Sequence, residues 1–257
     1  MVKAVALHHE SIGPADAPPL LLGGSLGATL AMWEPQVKIL SGRLRMIPLD
    51  HRGHGASPVP PPPYTISALG HDVLALMDHL KLKRASYCGI SMGGMVGLWL
   101  AGNHPERIEK LILIATSAHL GPADPWLDRA SMVRSAGTVE VVADAVLARW
   151  FTPDWATKHR HTVRAYRDML AATSVEGYVG CCEAISKLDL RNELRRITAP
   201  TLVISGAEDT SIPPPHQQLI AEAITDSSWH TVSDAAHLSS VQHPAQVNKL
   251  IFDHMGL

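Results

Sequence analysis

At the point that decides its fold, the chain reads Ala85-Ser86-Tyr87-Cys88-Gly89-Ile90-Ser91-Met92-Gly93-Gly94-Met95-Val96-Gly97. Residues 85–89 predict a buried strand, and residues 92–102 predict a buried helix of small and apolar residues. The G-x-S-x-G motif between them predicts a sharp strand-to-helix turn that lifts the Ser91 hydroxyl clear of the sheet. Glycine is expected on both sides of the serine, because side chains there would collide with the strand and the helix.

Outward from this turn, short apolar runs alternate with helical patterns along the chain. Strands are predicted at 20–22, 45–49, 85–89, 111–114, 201–204 and 228–232. An amphipathic helix is predicted around 73–80 and a closing helix at about 243–255. Continuous apolar runs are typical of parallel strands that helices cover on both faces. The pattern predicts an α/β fold with a mostly parallel central sheet flanked by helices.

Between residues 122 and 188 the alternation stops and the pattern is helical throughout. Turn residues mark its ends, Gly121-Pro122 on one side and Ala199-Pro200 on the other. We interpret 122–188 as a helical cap inserted into the sheet domain. The core would then consist of residues 1–121 and 189–257.

A serine hydroxyl needs a base to accept its proton, and the base needs an acid to orient it. His237 lies in a loop after the last predicted strand and is the predicted base, with His230 and His243 as the nearest alternatives. Asp209 follows the preceding strand and is the predicted acid, with Glu208 as an alternative. The order Ser91, Asp209, His237 along the chain is that of α/β-hydrolases.

Two loops supply candidates for the backbone N–H groups that would bind a developing oxyanion. Met92 directly follows the serine. The glycine-rich segment after the first strand offers Leu26, with Ser25 as second choice. The segment Asp50-His51-Arg52-Gly53-His54-Gly55 after the second strand invites a metal interpretation, but no third ligand is indicated. A turn held by hydrogen bonds near the active-site loops is the favoured interpretation.

Composition excludes several classes of function. The 257 residues carry a formal net charge of −2, with 46% hydrophobic and 18% charged residues. This balance favours neither nucleic acid nor an anionic membrane as a partner. Three cysteines, two of them adjacent, suit a reducing compartment rather than a disulfide framework. We expect a cytoplasmic protein without a metal or cofactor; the oligomeric state, including a homo-oligomer, is left open.

The chain resembles the 3-oxoadipate enol-lactonases of the α/β-hydrolase superfamily over nearly its whole length. The resemblance rests on the segments 24–27, 50–55, 88–95 and 234–239, and more specifically on the cap segments 121–124 and 149–152. Gly23-Gly24 stands where a more polar pair is expected, and His51 where a smaller residue is common. Neither departure removes a catalytic group.

The resemblance implies a carboxylic ester hydrolase that opens 3-oxoadipate enol-lactone in the catabolism of aromatic compounds. Because this substrate carries a carboxylate, a cation is expected in its site. Arg129 and Arg134 in the cap are the candidates, with Trp126 and Trp150 as apolar walls. Another α/β-hydrolase activity remains open, that of a carboxylesterase, a carbon–carbon bond hydrolase or a cofactor-free perhydrolase. A non-catalytic ligand-binding protein is the remote alternative.

Overall fold

The computed structural model describes residues 4–257, and its centre is a six-stranded parallel sheet. Its strand order is β2-β1-β3-β4-β5-β6. The strands are β1 Pro19–Gly23, β2 Arg45–Leu49, β3 Ala85–Ile90, β4 Ile108–Ile114, β5 Thr201–Gly206 and β6 Ser227–Val232. Each of the six corresponds to a strand predicted from the sequence. A segment near the N-terminus adds two antiparallel bridges to β2, through His9 and Ile12.

Eleven α-helices accompany the sheet in residues 4–257. They are α1 Glu34–Leu40, α2 Ile66–His79, α3 Met92–Asn103, α4 Asp124–Ala136, α5 Ala143–Trp150, α6 Pro153–Lys158, α7 Arg160–Ala171, α8 Val175–Ile185, α9 Pro214–Ala223, α10 Ser239–Gln242 and α11 Pro244–Met255. None of them combines the length and hydropathy needed to cross a membrane.

The starts of the helices and the faces that they bury agree with their sequences. The Thr65 hydroxyl accepts a hydrogen bond from the Ala68 N–H and caps α2, whose apolar face includes Val73 and Met77. Helix α3 is buried along nearly all its length, as its uniformly apolar sequence predicts. Gly97 lets this helix approach the sheet, since a side chain there would meet Tyr87 and Leu111.

Helices α4 to α8 form the segment between β4 and β5, where the sequence predicted a cap. Helix α8 touches the core through Gly177, whose backbone lies against that of Gly53 in the turn after β2. A side chain on either glycine would meet the other residue's backbone. The division into a core and a cap at residues 122 and 188 stays a prediction.

The parallel arrangement decides where functional side chains can gather. The loops after β1, β3, β5 and β6 all leave the same edge of the sheet, because their strands run in the same direction. In open α/β sheets, ligands bind outside this carboxyl edge. The four loops carry Leu26, Ser91, Asp209 and His237.

Candidate active site

Ser91 sits at the turn between β3 and α3 in a backbone conformation that few residues adopt. Its φ is 56° and its ψ is −118°, a left-handed geometry that costs about 1–3 kcal/mol in a residue with a side chain. The Ser91 N–H donates to the Ile114 carbonyl at 2.9 Å, and the Thr116 hydroxyl donates to the Ser91 carbonyl at 2.7 Å. These bonds to the neighbouring strand hold the strained residue in place.

The glycines on either side of Ser91 are required by contacts with the backbone. A side chain at Gly89 would collide with the Gly93 backbone, and a side chain at Gly93 would collide with the Gly23 backbone. The Gly93 N–H also donates to the Gly24 carbonyl at 3.0 Å. The G-x-S-x-G motif therefore joins β3, α3 and the loop after β1 at close range.

Asp209 and His237 form a buried pair at the ends of β5 and β6. The distance between His237 Nδ1 and Asp209 Oδ2 is 2.8 Å, and both side chains are at most 3% exposed. The other oxygen of Asp209 accepts from the N–H groups of Ser211 and Ile212 at 2.8 and 3.0 Å. Both carboxylate oxygens are thus engaged, which fixes the side chain and aims it at the imidazole.

The alternatives weighed from the sequence lie elsewhere. Glu208 is exposed, and His230 is exposed on β6, an edge strand of the sheet. His243 Nε2 is 3.0 Å from the Asp234 carbonyl, away from Asp209. The structure thus brings Asp209, rather than Glu208, to His237.

Two backbone N–H groups near Ser91 are available as donors. The N–H groups of Leu26 and Met92 donate to no protein acceptor among residues 4–257. The N–H of Ser25, the second choice in this loop, already points at the Met32 sulfur at 3.4 Å. The arrangement favours Leu26 over Ser25 as the partner of Met92.

A cavity lies over these groups, between the sheet edge and helices α4, α5 and α8. The volume that the centre of a water molecule can occupy in it is about 90 Å³, so it suits a small ligand. Its lining consists of Ser25, Leu26, Ser91, Trp126, Arg129, Val146, Arg149, Trp150, Tyr178, Thr210, Ser211, Ile212 and His237. The predicted nucleophile and base therefore face the same space.

Two arginines bring positive charge into this cavity. Arg129 lies over the Trp126 ring, with its guanidinium carbon 4.7 Å from the ring centre. Burial lowers the pKa of Arg149, and the nearby charge of Arg129 lowers it further. Neither arginine forms an ion pair within residues 4–257. Two partly buried like charges without an ion-pair partner favour the binding of an anion at this place.

Arg134, a candidate from the sequence for binding the substrate carboxylate, does not line the cavity. It is exposed on α4 and donates to Glu183 at 2.6 Å. Arg129 and Arg134 are five residues apart, which separates them by about 140° around a helix. They therefore cannot both face the same cavity.

Sequence reasoning missed Arg149 and Tyr178 as lining residues. Arg149 stands beside Trp150, which was selected, but only the position of α5 shows that both side chains reach the cavity. Tyr178 lies on the apolar helix α8 and carried no distinguishing signal. Burial raises the pKa of its hydroxyl, and the two cavity arginines offset part of this effect.

Backbone hydrogen bonds join the loop that carries His237 to the end of helix α5. The His237 and Leu238 N–H groups donate to the carbonyls of Arg149 and Trp150 at 3.4 and 3.0 Å. The Gln242 side chain accepts from the Ala236 N–H at 2.8 Å and donates to the Thr152 hydroxyl at 3.0 Å. The end of α5 thus positions the imidazole as well as the cavity wall.

The parallel sheet and the serine turn between β3 and α3 are features of the α/β-hydrolase fold. Residues 18–244 match the family model of the alpha/beta hydrolase fold. The chain belongs to the alpha/beta-hydrolase fold family. The fold predicted from the sequence is confirmed.

Within that family the chain is similar to 3-oxoadipate enol-lactonases. It is 41% identical to 3-oxoadipate enol-lactonase 2 of Acinetobacter baylyi, over 96% of this chain and 92% of the relative. It is 34% identical to 3-oxoadipate enol-lactonase 1 of the same organism, over 90% and 86%. The crystal structure of the enol-lactonase from Burkholderia xenovorans superposes with a TM-score of 0.95 at 41% identity, covering 98% of this chain and 96% of that chain. The resemblance stated from the sequence motifs is confirmed.

Proposed function

We propose that the protein hydrolyses 3-oxoadipate enol-lactone to 3-oxoadipate, with Ser91 as nucleophile. The observation that carries this proposal is the pair Arg129 and Arg149, which lines the cavity over Ser91 without an acidic partner in residues 4–257. An ester site for neutral substrates would gain nothing from two cations. The carboxylate of the lactone would neutralise them, and the similarity to enol-lactonases supports the same substrate.

In the first half-reaction, Ser91 Oγ attacks the lactone carbonyl and His237 accepts the hydroxyl proton. Asp209 holds the imidazole with Nδ1–H toward itself, which leaves Nε2 as the base. The N–H groups of Leu26 and Met92 bind the negative oxygen of the tetrahedral intermediate. Collapse breaks the ring ester bond, and the leaving enolate takes the proton that His237 accepted from Ser91 and becomes the ketone, which leaves His237 neutral again. An acyl-enzyme on Ser91 remains.

In the second half-reaction, His237 removes a proton from water, which attacks the acyl-enzyme. The same two N–H groups bind the second oxyanion. Collapse returns the proton to Ser91 and releases the dicarboxylate. Trp126 and Trp150 form apolar walls around the ring, while Arg129 and Arg149 hold the free carboxylate away from the reacting carbonyl.

The direct test follows the ultraviolet absorbance of freshly generated enol-lactone with the wild-type protein and with Ser91→Ala. We expect fast decay with the wild type and the spontaneous rate with the variant. Circular dichroism of the variant should match the wild type, because the substitution removes one oxygen. Decay at the spontaneous rate with the wild type would remove the lactone as substrate; activity on an aryl ester would then keep the hydrolase.

The role of the cavity arginines is tested by Arg129→Met and Arg149→Met, with Arg134→Met as a matched control. Loss of one charged hydrogen bond, about 1.5–3 kcal/mol, should raise KM for the lactone by about 10- to 100-fold. Hydrolysis of an uncharged aryl acetate should change little. Arg134→Met should leave both activities unchanged, because Arg134 is paired with Glu183 on the surface. An equal loss on both substrates in the cavity variants would contradict carboxylate binding.

We further propose a cytoplasmic site of action. Cys88, Cys181 and Cys182 are unpaired and buried, as is typical of proteins in a reducing compartment. Fractionation of cells that produce the protein tests this placement. The oligomeric state stays open.

A further inference from the structure

We propose that His54 is a positioning residue for the oxyanion hole, which it serves by holding the loop after β1 through a hydrogen bond. The inference rests on the proposed role of Ser91 and concerns the Asp50–Gly55 segment, here called the β2 turn. The β2 turn attracted attention in the sequence but has no part in the reaction described above. The side chains of Asp50 and His54 in this turn contact the loop that carries Leu26.

The contact that carries this proposal joins His54 to Gly27, the residue after Leu26. The Gly27 N–H donates to His54 Nε2 at 2.9 Å. His54 Nδ1 lies 3.1 Å from the Arg52 carbonyl, which can only accept. The ring must therefore carry its proton on Nδ1 and present a lone pair at Nε2. Gly27 itself has a φ of 82°, a conformation that favours glycine.

A second contact holds the far end of the same loop. The Leu30 N–H donates to Asp50 Oδ1 at 2.6 Å, and Asp50 Oδ2 accepts from the Ala56 N–H at 3.0 Å. The β2 turn thus accepts hydrogen bonds from residues 27 and 30 of the loop after β1. Leu26 directly precedes the segment that these two hydrogen bonds hold.

The β2 turn is itself fixed to the core. The Arg52 guanidinium is buried and donates to both carboxylate oxygens of Asp72 on α2, at 2.6 and 2.7 Å. It also donates to the Ala68 carbonyl at 3.3 Å. A bidentate pair of this kind fixes orientation as well as distance. Hydrogen bonds therefore run continuously from α2, through Arg52 and His54, to the loop of Leu26.

His54 must be neutral to act in this way, and its surroundings keep it neutral. The residue is 1% exposed, and burial lowers the pKa of its ring. Both ring nitrogens are committed to backbone partners, so neither is available to a metal ion. His51 in the same turn is equally buried, but its nitrogens have no hydrogen-bond partner within residues 4–257. His54 therefore accepts a hydrogen bond from the loop after β1, whereas His51 does not.

The experiment compares His54→Leu, His54→Gln and, as a matched control, His51→Leu. Leucine removes the acceptor for Gly27, whereas the glutamine side-chain oxygen can replace Nε2. Misplacement of a catalytic group by about 1 Å can cost about 100-fold in rate. We expect His54→Leu to lower kcat by about 10- to 100-fold with KM little changed. His54→Gln should recover most of kcat, and His51→Leu should stay within about twofold of the wild type.

A second readout separates positioning from general damage to the site. An arylboronic acid, which adds to Ser91 and places an oxygen in the oxyanion hole, should bind His54→Leu more weakly in proportion to kcat/KM. Adipate, a dicarboxylate that forms no such adduct, should bind as it does to the wild type. Equal loss of both ligands, equal damage in the glutamine and leucine variants, or unchanged kcat in His54→Leu would each overturn the proposal.

Substrate identity does not enter this test. If the wild type hydrolyses an aryl acetate but not the lactone, the proposed substrate fails, and the role of His54 is measured on the aryl ester. If the wild type hydrolyses neither, both proposals fall.

Discussion

At the scale of single residues, the buried carboxylate of Asp209 determines which ring nitrogen of His237 carries the proton. Asp209→Asn would keep the shape but place an amide against Nδ1, which favours the wrong imidazole tautomer. We expect kcat to fall by about 10³- to 10⁴-fold with the fold intact. Glu208→Gln, next in the chain and exposed, should keep full activity. Steady-state kinetics of both variants decide whether Asp209 orients the base.

His51 predicts how stability responds to acid. Burial lowers the pKa of this ring from 6.5 to about 3, so below pH 6.5 only the unfolded chain takes up the proton. Stability is fully present above 6.5 and falls with pH down to about 3. One such group loses about 2 kcal/mol of unfolding free energy between pH 7 and pH 5. Urea unfolding of His51→Leu at both pH values should show a loss smaller by about that amount. An unchanged loss would mean that His51 titrates normally.

The sequence predicts Ser91, Asp209 and His237 because each follows a recognisable strand, and strand ends in a parallel sheet meet at one edge. The cavity arginines are harder to predict. A side chain on a helix reaches a cavity only if the helix turns the correct face inward, and this depends on packing between helices. The sequence therefore suggested Arg134, which does not line the cavity, and did not single out Arg149, which does.

At the scale of elements, the contact between α8 and the β2 turn depends on two glycines facing each other. Gly177→Ala would place a methyl group against the Gly53 backbone. Because neither backbone can move freely, we expect a loss of about 1–3 kcal/mol in unfolding free energy. Gly42→Ala is the matched control, since a methyl group there meets nothing within 4 Å. Urea denaturation should separate the two variants; equal effects would show that α8 adjusts without cost.

The six strands were predictable because buried parallel strands are short apolar runs bounded by turns. Strand β6 was predicted despite its polar residues, from its place before the His237 loop. The five helices α4 to α8 were predicted only as one helical stretch. Their boundaries depend on local capping, such as the Ser174 hydroxyl that accepts from the Gly177 N–H at the start of α8, and on tertiary packing.

At the scale of the whole molecule, the ion pair between Arg52 and Asp72 joins the β2 turn to α2 and the N-terminal segment. Asp72 also accepts from the Val5 N–H at 2.8 Å. Asp72→Asn would leave the Arg52 charge buried without a counterion, which costs about 3–5 kcal/mol. Asp78→Asn breaks an ion pair with Arg107 in which the Asp78 side chain is 69% exposed. This substitution should lower the free energy of unfolding by at most about 1 kcal/mol. Urea denaturation of both variants tests the difference; equal small losses would contradict it.

The backbone carbonyl groups at the end of α5 determine which substitutions can change the substrate range and leave the general base in place. They anchor the His237 loop through the main chain, so exchanging a side chain at position 149 or 150 removes none of the anchoring hydrogen bonds. New substrates can therefore be selected by replacing Arg149 or Trp150 without displacing the general base. Shortening α5 or exchanging it for a helix that ends elsewhere removes the anchor itself. Libraries that vary side chains at these positions should retain esterase turnover far more often than libraries that vary the length of this helix.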